Sequence, residues 1–591
     1  MNYQVTGNEY VSLPTIREAD GAIEGISCLY MGLKGMLELK GTDSFLKPVF
    51  CLDGIEAMPD LHWQRDHFWI PSLTSEMNGV SFRCTYLSPM GERGFALRMK
   101  VQNQDTIPHA VSIGVRGDWN ETLHTVNESI PLKEGRSVLR SNWNNMFVFQ
   151  QVPGVPLIAF APVISDHSPF SEVDQGANWA QEGFSFRIWK EGELSPGEAL
   201  CLDLFFGLGY EEVSATTSAK EMLRQTFEAL YDRTARWLSA REKVVSDPHI
   251  TKLLNTNLFF TFFFASGRTI DTEELCMMTS RSPRYYVSAA YWDRDSLLWA
   301  FPAITEADPA YARELLLSVF HRQARNFGVH SRYIDGTVLE PGFELDELCA
   351  PVIALDRYIQ KTADSSLLQR VEVTDALEDI LRKLSERKHE SIDLYCTFLQ
   401  PTDDKHNYPY LTYDNVLVWK VYSILGRLLH HNDLLQKADL VRSAIQAHCV
   451  FTHQGREVYA WSIDLNGHWD IYDEPPGSLQ LLPFYGYCSL EDEIWRNTTA
   501  LIRDEAYPLS FAGHPIAEIG CKHAPHPWIL SICNSLLSGH RESALRHLAC
   551  TQMDNGLACE SVQEDSGECT TGEAFATCAG FLAYALLVSS Q

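Results

Sequence analysis

The hydrophobic period of this chain changes once, and that change limits what it can fold into. Up to about residue 210, short runs alternate between apolar and polar side chains. From about Ser214 the apolar positions recur with the spacing of a helix. The chain has 591 residues, more than one hydrophobic core normally serves, so two domains are expected.

Segments such as Phe82–Tyr86, Phe95–Val101, Ala110–Val115 and Met146–Phe149 are β-branched or aromatic, with turn signals at Met77-Asn78-Gly79, Pro89-Met90-Gly91 and Pro196-Gly197. Strands repeating in this way predict an antiparallel β-sandwich over residues 1–212, with Leu200–Leu208 as its closing strand. Met222, Leu223, Phe227, Leu230, Trp237 and Leu238 predict one long amphipathic helix over 219–246, in a linker spanning 213–247. Twelve further helical candidates follow, near 249–266, 295–304, 309–326, 343–361, 365–388, 412–430, 433–452, 477–484, 489–504, 526–538, 540–553 and 572–588. The eighth has the weakest pattern. Twelve helices in antiparallel pairs suit an (α/α)6 toroid over 248–591. No fixed-period repeat marks the alternative, an open solenoid.

A net charge of −29 argues against general affinity for nucleic acid or anionic membrane. The opening MNYQVTGNEYVSLP lacks the basic and apolar regions of a secretory signal. The most nearly continuous apolar run, Leu258–Ala265, is too short for a membrane span. Fifteen scattered cysteines, an odd number, read as reduced thiols of a cytoplasmic protein. Cys559, Cys569 and Cys578 form the one cluster worth testing as metal ligands. They have neither a C-x-x-C pair nor a neighbouring histidine, so no metal is expected. There is no G-x-S-x-G elbow, P-loop or strand-borne G-x-G-x-x-G. No cofactor is therefore expected, and the sequence carries no mark of oligomeric state.

Four loops carry chemistry. Pro401-Thr402-Asp403-Asp404 is an acidic turn ahead of a helix, surrounded by Tyr408, Tyr410, Tyr413 and Trp419. Aromatic faces stack on sugar C–H surfaces while carboxylates handle protons and hydroxyls, so this composition fits a sugar site; it equally fits an exposed turn beside a core helix. Tyr291-Trp292-Asp293-Arg294-Asp295-Ser296 sets a guanidinium fork between two carboxylates, suited to sugar hydroxyls. Asp295 can also serve as the N-cap of the following helix. The stretch from Asp335 through Glu344 to Glu347 is expected to line the pocket in part, although Glu344 and Glu347 also read as solvated first-turn acids. Finally, Glu560 sits in a short apolar segment before a turn-rich loop, where a carboxylate becomes partly desolvated and fit for proton transfer.

Taken together, these motifs resemble those of a known family. Pro401-Thr402-Asp403-Asp404, followed by Tyr408, Tyr410, Leu411 and Asn415, resembles the proline-serine-aspartate-aspartate loop of the metal-independent exo-α-mannosidases, glycoside hydrolase family 125. Trp292 with Arg294-Asp295-Ser296 is similar to their tryptophan-x-arginine-aspartate-serine motif, and Glu560-Ser561 to their late glutamate-serine pair. The resemblance covers short motifs in order over roughly residues 290–562. A β domain ahead of a toroid is more similar to glucoamylases, amylo-α-1,6-glucosidases and disaccharide phosphorylases, as is the segment Ala574–Gly580.

The resemblance implies an exo-acting, inverting α-glycoside hydrolase of α-mannosidase or α-glucosidase type, acting on oligosaccharides or glycosides. By residue-for-residue transfer, the general acid is Asp403 or Asp404 and the general base is Glu560. Substrate contacts are expected from Tyr291, Trp292, Asp293, Arg294, Asp295, Asp335, Glu344, Tyr410 and Trp528. Phosphorolysis is the close variant; it needs a basic pocket, which Lys522, His523 and His526 can be read as supplying. A non-catalytic carbohydrate-binding protein on the same fold is the third reading.

Overall fold

The alternating segments of the first two hundred residues pair into three antiparallel sheets. The largest has eight strands, ordered Arg136–Arg140, Phe147–Gln151, Ile158–Ile164, Ala199–Gly209, Gly94–Asn103, Val80–Leu87, Ile70–Met77 and His62–Asp66. A six-stranded sheet begins with Tyr3–Gly7 and Val11–Arg17, and a five-stranded sheet centres on His109–Trp119. One apolar core, including Leu37, Phe50, Phe95, Ile113, Phe160 and Phe206, takes side chains from all three. Asn78 and Gly79, with φ of 50° and 73°, form the tight turn that fixes the register Met77↔Val80.

This computed structural model describes residues 2–132, 136–152, 157–165, 171–174 and 184–590. The segment Leu200–Leu208 does end the β region in sequence, but it lies inside the sheet, between Gly94–Asn103 and Ile158–Ile164. Leu204 to Gly209 is buried residue after residue, and a strand covered on both faces belongs in the interior of a sheet. The single long helix expected over 219–246 is in fact two: α1, Glu212–Gln225, and α2, Phe227–Ser239. Thr226 separates them with φ of 70°, and its hydroxyl caps α2 at Ala229 N. Both belong to a first compact unit of Met1–Glu242, Phe262–Cys276 and Arg281–Ala289.

The second unit comprises Lys243–Thr261, Met277–Ser280 and Ala290–Gln591. Eleven of the twelve helical candidates are helices there or lead into it: α3 (Pro248–Phe264), a π-helical turn Arg294–Ala300 running into α4 (Phe301–Ala307), α5 (Pro309–Arg322), α6 (Leu345–Thr362), α7 (Val371–Arg387), α8 (Thr412–Leu428), α9 (Asn432–His448), α10 (Glu493–Ile502), α11 (Ile529–Leu537), α12 (Arg541–Cys550) and α13 (Ala576–Ser589). The eighth candidate is only two 3-10 turns, Pro475–Gly477 and Leu479–Leu481. Prolines at 475, 476 and 483 leave no room for a regular helix between them.

Burial separates two kinds of helix. α13 is buried on every side from Ala576 to Leu586, whereas α7 buries only Val373, Ala376, Leu377, Ile380 and Leu384, a single stripe. The buried elements neighbour one another in sequence order: α4 with α6, α6 with α8, the 3-10 turns with α11, α11 with α13, and α13 back to α4. Tyr413 of α8 meets Tyr485, just after the 3-10 turns, at 3.2 Å. No helix among the described residues is long and apolar enough to cross a membrane.

Candidate active site

Arg294 opens the π-helical turn and is wholly buried. A buried guanidinium needs carboxylate partners. Its Nη1 donates to Glu344 Oε2 at 2.7 Å and Asp346 Oδ2 at 2.9 Å, and its Nη2 donates to Asp403 Oδ1 at 2.6 Å. Glu344 and Asp346 come from the start of α6, so one residue ties two helix ends to the acidic loop. Glu347, on the same turn of α6, accepts the backbone N–H groups of Asp293 and Arg294 and thereby caps the π-helical turn. Arg332 pairs with Asp293, which also accepts from Tyr291 OH at 2.9 Å.

This geometry corrects two expectations. Glu344 and Glu347 are not solvated, since both are fully buried. Asp295 is not an N-cap: it lies inside the π-helical turn and accepts from Thr577 Oγ1 at 3.0 Å. Burial pushes the Asp295 carboxyl up to about 7, with Arg294 opposing and the charge of Asp403 adding to the rise. Burial likewise carries Glu344 up to about 7 against the pull of Arg294. Burial works against charge on His330 too, but the carboxylates of Glu344 and Asp403 outweigh it and raise its pKa.

The loop before α8 is a strained turn. Asp403 has φ of 66°, its N–H donates to Gln400 O at 2.8 Å, and Gln400 N–H donates to Asp404 O at 2.9 Å. Beneath it, buried Glu474 accepts from Thr402 N and Thr402 Oγ1, both at 2.9 Å. Asn415 of α8 accepts from Tyr395 N and donates to Tyr395 O and Leu411 O, fastening the segment ahead of the loop to the helix. The side chains of Asp403 and Asp404 stay 36% and 45% exposed.

Glu560 approaches from the other end of the unit. Its N–H donates to Thr571 O and Gly572 O at 3.2 and 3.1 Å, and its carbonyl accepts from Ile529 N at 3.0 Å. Gly572 has φ of 64°, and a Cβ there would stand 2.4 Å from Glu560 Cβ and 2.7 Å from Oε2. Glycine is the residue that fits. On the far side Asn257 of α3 accepts from Ala558 N and donates to Gly556 O. Trp528 pairs with Ser561 through a β-bridge and sets its ring edge-on to His523, 6.4 Å between centroids.

His523 joins the two halves. Its Nδ1 lies 3.5 Å from Asp404 Oδ2 and its Nε2 lies 3.8 Å from Glu560 Oε1. Two carboxyl groups roughly 150 residues apart in the chain thus face one imidazole. The ring and its two contacts bound their separation at about 10 Å, a limit that accommodates the roughly 6.5–9.5 Å of an inverting acid–base pair.

His330, Glu344 and Asp403 also offer three atoms within 4.8 Å of one another, the one such group with metal-ligand character among the described residues. They do not fit a divalent ion well. Arg294 already donates to both Glu344 and Asp403, and a second cation would meet the guanidinium charge at contact distance.

Residues 388–587 match the family described as metal-independent alpha-mannosidase (GH125). This chain is a glycoside hydrolase. The matched stretch holds the acidic loop, His523 and Glu560. Among solved structures the hydrolase is similar to a Streptococcus pneumoniae metal-independent alpha-mannosidase in a non-productive complex with alpha-1,6-mannobiose, at 18% identity and TM-score 0.53, covering 62% of this chain and 99% of that one. A bacterial glucoamylase complexed with acarbose is 12% identical at TM-score 0.66, covering 100% of this chain and 94% of that one. A putative kojibiose phosphorylase from the human microbiome is 11% identical at TM-score 0.58, with 98% and 86% covered. These likenesses show the fold. No curated protein matches the chain.

Of the residues singled out in the sequence, Tyr291, Asp293, Arg294, Glu344 and Asp403 form one bonded network. Trp292 packs edge-on to His330 beside it, and Asp295 lies 4.0 Å from Arg294 Nε. Asp404, Glu560 and Trp528 meet at His523. Asp335 closes its own turn by accepting from Thr337 N and Oγ1, and Tyr410 pairs with Ile463 in a short ladder and packs against His389. Sequence reasoning missed His330, Arg332 and Glu474. Asp473-Glu474 did carry a signal: two acids beside prolines, as in Pro401-Thr402-Asp403-Asp404.

Proposed function

We propose that the hydrolase removes terminal sugars from α-linked oligosaccharides with inversion, on an (α/α)6 toroid that follows a β-sandwich. The cyclic adjacency of α4, α6, α8, the 3-10 turns, α11 and α13 supports the toroid, since it gives six inner elements. The observation that carries the mechanism is the convergence of Asp404 and Glu560 on His523.

Asp404 is the general acid in this reading. Asp403 is committed to Arg294 and lies 3.6 Å from His330 Nδ1, so it holds the loop in place, while Asp404 faces the opposite carboxyl across the imidazole. The acid protonates the glycosidic oxygen as the bond to the anomeric carbon breaks. Glu560 takes a proton from a water that attacks the opposite face, and the sugar leaves with inverted configuration. Gly572 holds Glu560 against backbone, which suits a base that must keep its distance. A carboxylate in this place also favours water over phosphate as nucleophile, because a phosphate anion would approach like charge.

The family match points to mannose as the terminal sugar, and the similarity to a glucoamylase keeps α-glucosides as the second candidate. NMR of the first product, recorded before mutarotation on matched α-mannosides and α-glucosides, tests both points. The β-anomer is expected first. An α-anomer would mean retention and would remove Glu560 as water base.

A further inference from the structure

A cavity of about 290 Å³ opens beside Asp404 and His523, and its composition differs from that of the rest of the site. Its lining includes Lys405 and Lys522, in a chain where acids outnumber bases 77 to 48. Neither ammonium has an ion-pair partner among the described residues. Lys522 is held in place: its Nζ stands over the Tyr472 ring, 5.3 Å from the centroid, and its N–H donates to Tyr472 OH at 3.3 Å. The carboxylates of the same lining are engaged. Asp470 accepts from Ser462 N at 2.9 Å, Ser462 Oγ at 2.6 Å and Asn407 Nδ2 at 2.7 Å, and Asp404 faces His523. The lysines are therefore the two unpaired positive charges in this lining, and they face the ligand space beside Asp404.

Position says which part of the substrate would meet them. A general acid touches the glycosidic oxygen, so the group beyond that oxygen must lie on the acid's side. The cavity contains Asp404. We propose that it receives the leaving group, and that Lys405 and Lys522 select a leaving group bearing an anionic substituent such as a phosphate ester. The inference rests on the reading of Asp404 as the acid.

The test compares one α-linked disaccharide with the same disaccharide carrying a phosphate ester on its reducing-end unit. The phosphorylated substrate should have kcat/KM about tenfold higher or more at low salt, with the advantage shrinking as salt is raised. Replacing both lysines by alanine should lower that ratio about tenfold, and replacing both by arginine should restore it. Melting temperatures of the variants check that they fold. A ratio of one, or a ratio unchanged by the alanine pair, overturns the subsite while leaving the hydrolase reading intact. Absence of turnover on both disaccharides and on nitrophenyl α-glycosides overturns that reading, and the subsite with it. Adding inorganic phosphate separates the two sources of the same anion. Weak competitive inhibition is expected; release of a sugar 1-phosphate would overturn the inference by assigning the cations to an attacking phosphate.

Discussion

Two groups of carboxylates share this site and are built in opposite ways. Around Arg294, acids from α6 and the acidic loop stand at 2.6–2.9 Å from the guanidinium, and those on α6 are fully buried. Around His523, Asp404 and Glu560 stand at 3.5 and 3.8 Å, and Asp404 keeps nearly half its side chain in solvent. The first group is closed, with nearly every donor directed at a carboxylate. The second leaves room between its members. Tight compensation fixes geometry, while a gap admits a water and a substrate atom, so the contrast matches the proposed division between residues that hold the site and residues that react in it.

Removing either carboxyl proposed to react tests that division most severely. Glu560→Gln and Asp404→Asn should each lower kcat by about 100- to 10,000-fold with melting temperature unchanged. Asp403→Asn should lose more stability and less turnover than Asp404→Asn. If Asp403→Asn is the inactive, stable variant, the roles of the two aspartates are reversed.

Breaking the closed group should show in stability instead. Arg294→Met strands Glu344, Asp346 and Asp403, and loss of one partner from a buried charge group costs about 3–5 kcal/mol. Chemical denaturation would measure it. A melting profile like wild type, with only KM raised, would return Arg294 to a purely ligand-binding role. Arg294→Lys should fall between, since an ammonium cannot serve three carboxylates in a planar fork.

A smaller effect follows from Asp295. Its pKa rises on folding from the usual carboxylate range to about 7, so the folded protein holds this proton where the unfolded chain has lost it. The resulting stability is present below about pH 4 and fades as pH rises through about 7. Asn imitates the protonated form. The melting temperature of Asp295→Asn minus that of wild type should therefore increase from pH 4 to pH 8. A flat difference would mean that Asp295 is ionised throughout.

The smallest expected effect is none. Excess chelator should leave turnover unchanged, because Arg294 already supplies the positive charge between Glu344 and Asp403. Loss of activity restored by one divalent ion would show that His330, Glu344 and Asp403 bind metal after all.

Much of this was legible in the sequence, for identifiable reasons. Period, together with turn signals, placed the named strand segments and eleven helices. The acidic loop and Glu560 announced themselves through proline, paired carboxylates and an apolar setting. Burial was not legible where it depends on distant partners. Glu344 and Glu347 have the spacing of solvated first-turn acids, and only the return of Arg294 to α6 shows that they are interior. His330 and Arg332 sit in a short ladder with Val338–Phe343, where nothing local marks them as partners of Glu344 and Asp293. Thr226 stopped a helix that periodicity continued, since a positive φ at a threonine leaves no trace in an apolar pattern.

The amide of Asn257 gives the site a position in time as well as in space. It holds Gly556 and Ala558, some 300 residues later, and Thr261 one turn along α3 donates to Ala576 O. A ribosome delivers α3 long before either partner exists. While residues 405–559 are being made, then, the growing chain has an acidic loop but not yet Glu560, and Asn257 of α3 still lacks these later partners. Contacts of such long sequence separation close late and slowly. With Glu560 as the proposed base, the reaction waits until Gly556 and Ala558, on the same segment, have closed onto α3.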